Sequence, residues 1–166
     1  MLGMFSAEAT YQVSAAPLMT RLNHGLFRRS IENKFLTTFY GMLGKDGSFT
    51  YCNAGHNAPI LVSGSEVRRL DTGGMVLGLF ETAAFEEETV QLRPGDVIVA
   101  FSDGVTEAMN EGGDEFTDDG LLASIAANPG RSPQQVIDGV IADVRRFCGD
   151  ATQSDDLTIL IVRYAG

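Results

Sequence analysis

Apolar residues recur along this chain at several spacings, and each spacing predicts a different element. Leu18, Leu22 and Leu26 fall four apart, the repeat of one face of an α-helix. Ser14 can cap that helix and Pro17 fits its first turn, so the first thirty residues read as two helices. Phe35 to Leu43 reads as a strand, Lys45-Asp46-Gly47 as a turn, and Phe49 to Asn53 as the returning strand of a hairpin. Pro59 to Val62 gives another strand, with Gly64 in the turn beyond it, and Gly73-Gly74 and Gly78 break the next stretch into loop. Between Phe85 and Leu92, Thr89 and Gln91 alternate with Val90 and Leu92, the period of a strand with one face exposed. After the turn Arg93-Pro94-Gly95-Asp96, the run Val97-Ile98-Val99-Ala100-Phe101 is apolar without a break, which predicts burial on both faces. Beyond Gly104 the chain turns helical and acidic. One helix covers Leu121 to Ala127; another is capped by Ser132, opens with Pro133 and runs to about Phe147, with Val136, Val140 and Val144 on one stripe. A last buried strand spans Leu157 to Val162.

Strands and helices therefore come in blocks, which favours antiparallel sheets packed with helices over a doubly wound fold. A length of 166 residues suits one domain over 1–166, and 44% hydrophobic with 20% charged residues is ordinary globular composition. No internal repeat or low-complexity linker divides it. No run approaches the roughly 18 apolar residues of a membrane helix. The apolar start, Met1 to Phe5, has no basic residue before it and meets Glu8 soon after, a poor signal peptide. Cys52 and Cys148 stand far apart without metal-ligand spacing, as expected of a reduced, cytoplasmic protein.

Charge changes the picture through its distribution. Of the net −10, residues 1–50 carry five basic and three acidic side chains, and residues 51–166 carry seven basic and nineteen acidic. Nucleic-acid phosphates would be repelled by so acidic a surface. Cation binding and plain solubility both suit it, and charge alone does not choose between them.

Two of the apolar strands carry carboxylates at their ends. The first runs into Ser102-Asp103-Gly104, and the last follows Ser154-Asp155-Asp156. Carboxylates held close together repel unless a cation sits between them, and hard divalent ions take oxygen ligands. The plainer alternative is that Asp103-Gly104 is a turn and that Asp155 or Asp156 caps a strand or helix end. His56 reads either as a structural histidine in a Gly-containing turn or as a metal or phosphate contact. Asn53 and Asn57 read first as turn formers, and His24 as a surface or interface residue.

Five segments occur in a telling order: Phe35-Leu36-Thr37-Thr38-Phe39-Tyr40-Gly41, Asn53-Ala54-Gly55-His56-Asn57, Leu92-Arg93-Pro94-Gly95-Asp96, Ser102-Asp103-Gly104-Val105-Thr106-Glu107-Ala108 and Ser154-Asp155-Asp156-Leu157-Thr158. Together they resemble the PPM-type (protein phosphatase 2C-like) phosphatases, in the bacterial branch of the sporulation stage II protein E family, over nearly the whole chain. The resemblance implies an α+β fold, a four-layer α-β-β-α sandwich of two antiparallel sheets flanked by helices. It implies two Mn²⁺ or Mg²⁺ ions per complete site and an ion-activated water that hydrolyses phosphoserine or phosphothreonine in line. Carried over, Asp103 (with Gly104) and Asp155 are the catalytic metal ligands. Glu107 matches an acidic ligand of a weaker third metal in other branches. His56, Asn53 and Asp156 fall where they could contact phosphate or orient the ligands.

The resemblance also implies a phosphorylated anti-sigma-factor antagonist as substrate and leaves room for an upstream sensor domain, while the charge and hydropathy read above predict no nucleic-acid or membrane partner. The family's first metal motif, Gly-Asp-x-x-Gly on an early strand, is not among these residues. Gly95-Asp96 and Gly149-Asp150 stand in the wrong places to replace it. The expectation is thus a fold lacking its first strands, with exposed sheet edges open to self-association. Three readings follow: a phosphatase, a binding module with impaired catalysis, or an unrelated acidic domain.

Overall fold

Residues 14–29, 35–127, 132–153 and 155–166 are described by the computed structural model. The first of the two N-terminal helices expected from sequence lies outside these residues, as does Ser154. The second helix, α1 (Ala15–Arg29), buries Ala15, Leu18, Met19 and Leu22, as their spacing requires, and carries Arg28 and Arg29 at the negative end of its dipole. Its buried polar residue is Asn23, whose Nδ2 donates to the Phe80 carbonyl (2.9 Å) while its Oδ1 accepts from the Gly78 amide (2.8 Å). A loop without regular structure is thereby tied to the helix.

The hairpin expected around Lys45-Asp46-Gly47 is present as β1 (Thr38–Leu43) and β2 (Ser48–Ala54), paired antiparallel from Thr38↔Ala54 to Leu43↔Phe49. Next come β3 (Ile60–Ser63), β4 (Glu66–Arg69), β5 (Gly73–Gly74), β6 (Glu88–Gln91) and β7 (Val97–Phe101). The chain continues through α2 (Asp103–Thr106), α3 (Thr117–Ala126), α4 (Pro133–Cys148) and β8 (Ile159–Arg163). Ser132 caps α4 as expected, within a capping box: its hydroxyl accepts from the Gln135 amide and its own amide donates to Gln135 Oε1 (3.0 Å).

Each sheet holds four strands among the described residues. In the first, β2 lies between β1 and an opposite edge shared by β6, antiparallel, and β5, parallel. Gly73-Gly74, expected as loop, is thus a two-residue strand, and its pairing departs from a purely antiparallel sheet. In the second the order is β4-β3-β7-β8, antiparallel throughout.

Alternation along the strands builds the layers. On β2, Cys52 and Ala54 face the cluster that packs on α1, while Phe49 and Tyr51 face the second sheet with Leu61, Leu70, Val90, Leu92 and Ile98. On β7, Ile98 points into that middle layer, and Val99 and Phe101 point outward to Leu121, Ile125, Val136, Val140 and Val144 of α3 and α4. The result is helix, sheet, sheet, helix, the four-layer α+β sandwich.

One strand departs from its expected burial. β8 is an edge, with Ile161 packed under the helices but Leu160 59% and Val162 39% exposed on its other face. An unbroken apolar run says that a strand could be buried twice. It does not say which strand supplies the second cover.

Candidate functional site

The end of β7 and the start of β8 are neighbours because the two strands pair up to Phe101↔Ile159. The pairing carries Ser102-Asp103-Gly104 and Asp155-Asp156 to the same rim of the sandwich. A further bond, from the Ser102 amide to the Thr158 carbonyl (3.0 Å), extends the ladder past the strands. The Ser102 side chain then joins the two loops: its Oγ donates to the Asp156 carbonyl (2.9 Å) and accepts from the Thr158 amide (3.0 Å).

Gly104 makes this approach fit. A Cβ on Gly104 would lie 2.5 Å from the Asp156 carbonyl oxygen, a distance that side-chain carbons do not tolerate. Glycine here is required by close backbone passage, and its amide donates to Asp103 Oδ1 (3.0 Å).

Asp103, Asp155 and Asp156 are exposed. In both candidate ligands one oxygen is engaged locally: Asp103 Oδ1 by Gly104, and Asp155 Oδ1 by the Asp156 amide (2.7 Å). Gln153 Nε2 steadies the Asp155 carbonyl (2.7 Å). Glu107 closes α2, donating its amide to the Asp103 carbonyl (2.8 Å). It is exposed, one turn beyond Asp103.

His56 comes to the same rim from the other sheet. Gly55 (φ +72°) turns the chain after β2, and the turn is braced by Asn53, which is 5% exposed. Asn53 Oδ1 accepts from the His56 amide (2.8 Å) and Nδ2 donates to the His56 carbonyl (2.9 Å). Both polar atoms of Asn53 thus serve the turn. His56 lines a cleft of about 430 Å³ with Thr38 and Phe39 of β1, Ser102, and Thr158 and Leu160.

The structure therefore brings Asp103, Gly104, Asp155 and Asp156 into one backbone-locked unit and sets His56 on the adjoining cleft. Asn53 lies beneath, and Glu107 a turn away. Among the described residues no group of three or more His, Cys, Asp or Glu side chains converges as a metal site. Asp103 and Asp155 each keep a carboxylate oxygen that those local amides do not engage, which is the donor chemistry of a hard divalent ion. Such an ion commonly takes one or two carboxylates and keeps several waters. Sequence reasoning missed Ser102 and Gln153 as organisers of the loops; in sequence they are ordinary polar residues with no periodic signal.

Residues 1–165 match the family model for stage II sporulation protein E (SpoIIE). The chain is 28% identical over 154 residues to the phosphoserine phosphatase RsbU of Bacillus subtilis, a match covering 91% of this chain and 45% of RsbU. It is 27% identical over 131 residues to protein IcfG of Synechocystis, covering 77% of this chain and 20% of IcfG. The chain thus spans less than half the length of either relative.

Among solved structures it is similar to the PP2C phosphatase domain of B. subtilis SpoIIE with a fragment of its regulatory domain (TM-score 0.81, 19% identity, 99% of this chain and 48% of that one). The SpoIIE phosphatase domain presoaked with Mn is also similar (TM-score 0.70, 18% identity, 99% and 73%). So are the RsbU and RsbW domains of Rv1364c from Mycobacterium tuberculosis (TM-score 0.71, 23% identity, 98% and 45%). At such identities these structures establish the fold. No helix among the described residues is long and apolar enough to cross a membrane.

Proposed function

This chain belongs to the SpoIIE family of PP2C-type phosphatases, and from that premise we propose that residues 1–166 act as one metal-dependent phosphatase domain for phosphoserine or phosphothreonine in a regulatory protein. The observation that carries this reading is the locked pair of loops that holds Asp103 and Asp155 at one rim. Asp103 and Asp155 would hold Mn²⁺ or Mg²⁺, with Gly104 setting the loop spacing and Glu107 available to a more weakly held ion. When bound, the ion lowers the pKa of its water and offsets charge on the phosphoryl group. Asp156 anchors the pair through its carbonyl, and His56, presented by the Asn53-braced turn, would donate a hydrogen bond to phosphate or to the attacking water.

Similarity to RsbU, and to a structure containing RsbU and RsbW domains, supports a phosphorylated anti-sigma-factor antagonist as substrate. A cytoplasmic location and control by a sensor segment of a longer polypeptide complete the proposal.

A second reading has its own support. Two carboxylate tips are fewer donors than a two-ion site needs, and the Gly-Asp-x-x-Gly motif that would add another is not among these residues. In that reading the chain docks a phosphoprotein without turning it over.

Mn²⁺ titration by calorimetry, paired with para-nitrophenyl phosphate hydrolysis, separates the two readings. Binding and turnover that are both lost in Asp103→Asn and in Asp155→Asn support the phosphatase. Weak or no Mn²⁺ binding with no turnover supports the docking module. Unchanged Mn²⁺ binding in both variants would reject the site.

A further inference from the structure

A serine at the N-cap of a helix ordinarily turns its hydroxyl back to accept a bond from the amide two or three residues on. Ser102 occupies the N-cap of α2 with extended backbone (φ −83°, ψ 160°), yet its side chain makes no capping bond. The near end of α2 is served without it: the Gly104 amide goes to Asp103 Oδ1 and the Val105 amide to the Ser102 carbonyl (3.1 Å). The hydroxyl reaches instead across to residues 54 and 56 positions further along the chain, giving to the Asp156 carbonyl and taking from the Thr158 amide. It therefore uses its donor and an acceptor site together on a single oxygen, as a hydroxyl can.

Beyond the strand pairing, the described links between the Asp103 loop and the Asp155 loop are these two side-chain bonds, the backbone bond from the Ser102 amide to the Thr158 carbonyl, and the contact at Gly104. The acidic side chains themselves contribute none, since each bonds an amide of its own loop.

We propose that Ser102 is a positioning residue whose hydroxyl fixes the separation of the Asp103 and Asp155 loops, and so sets the affinity of the site for a divalent cation. The inference rests on the metal reading given above. Asp103 and Asp155 hold the ion, and Ser102 acts through the loops that carry them. Partners that orient metal ligands typically change metal affinity by about 10- to 100-fold when removed.

The test uses this chain as it stands, with Ser102→Ala and Ser102→Thr. Threonine keeps the hydroxyl and suits the extended backbone at this position. Hydrogen exchange of the Thr158 amide is followed without metal, and Mn²⁺ affinity by calorimetry. In Ser102→Ala the expected results are faster Thr158 exchange and Mn²⁺ binding weakened by about tenfold or more, with Ser102→Thr restoring both. Exchange of the Thr158 amide unchanged in Ser102→Ala, or Mn²⁺ affinity unchanged despite faster exchange, would overturn the inference. Absence of Mn²⁺ binding in the unsubstituted chain would instead overturn the metal reading on which it rests, so the two failures are told apart.

Discussion

At the scale of single residues, the site is shaped by groups whose chemistry is modest and whose placement is strict. Gly104 is the clearest. Any side chain there meets the Asp156 carbonyl, which belongs to the backbone and cannot swing aside as a flexible side chain would. Gly104→Ala should therefore move the Asp155–Asp156 loop, lowering stability by about 1–3 kcal/mol, the usual range for overpacking. Urea unfolding measures that loss, and Mn²⁺ calorimetry should show weaker binding in the same variant. Full stability with unaltered affinity would mean that the two loops are not held as described. Cys52 shows the opposite case, a group with reactive chemistry and no access. Burial, helped by the nearby Glu87 charge, pushes its thiol up to about 11, so it is a protonated core residue at neutral pH.

At the scale of elements, the two sheets are joined by side chains as well as by the apolar layer between them. The hydroxyl of fully buried Tyr51 on β2 donates to Glu88 Oε2 on β6 (2.6 Å), Thr72 adds a second bond (3.1 Å), and Arg68 on β4 of the other sheet pairs with the same carboxylate. Hydrogen bonds from Tyr51 and then Arg68 hold the Glu88 carboxyl below its ordinary 4.5. A carboxyl depressed on folding adds stability that is complete above its unfolded value and fades as pH falls through the lower folded one. Burial, followed by the bond to Glu88, raises the Tyr51 phenol above its ordinary 10.0. Its contribution is complete below that value and fades as pH climbs through the raised one. Stability followed by urea unfolding should thus fall below about pH 4.5 and above about pH 10, and Glu88→Gln should flatten the acid limb. An acid limb of equal slope in the variant would remove Glu88 from the account.

At the scale of the molecule, β1 and β8 are edges among the described residues, and the cleft beside the candidate site opens between them. On β8, Leu160 at the cleft and Val162 beyond it leave much of their apolar side chains exposed. Exposed edges of this kind are templates for pairing with another strand. This chain should therefore self-associate with rising concentration in analytical ultracentrifugation, and Leu160→Lys should shift the equilibrium toward monomer. A strictly monomeric unsubstituted chain across the concentration range would contradict this.

The residue pattern by itself determined the strand Val97–Phe101, the returning hairpin strand over Phe49 to Asn53, the helix capped by Ser132, and, through five ordered motifs, the family. These are local signals: period, caps, turns and short motifs, each written within a few neighbouring residues. Asn53, read from sequence as a turn former, does brace the His56 turn, while the tertiary structure alone decided that β8 is an edge and that Gly73-Gly74 pairs in parallel with Asn53 and Ala54. It alone turned Ser102 from an unremarkable serine into the link between two acidic loops. The physical reason is the same in each case. Burial of a strand's second face, and the partner of a side-chain hydroxyl, are supplied by residues far along the chain, and only the packing of the sheets brings them within bonding distance.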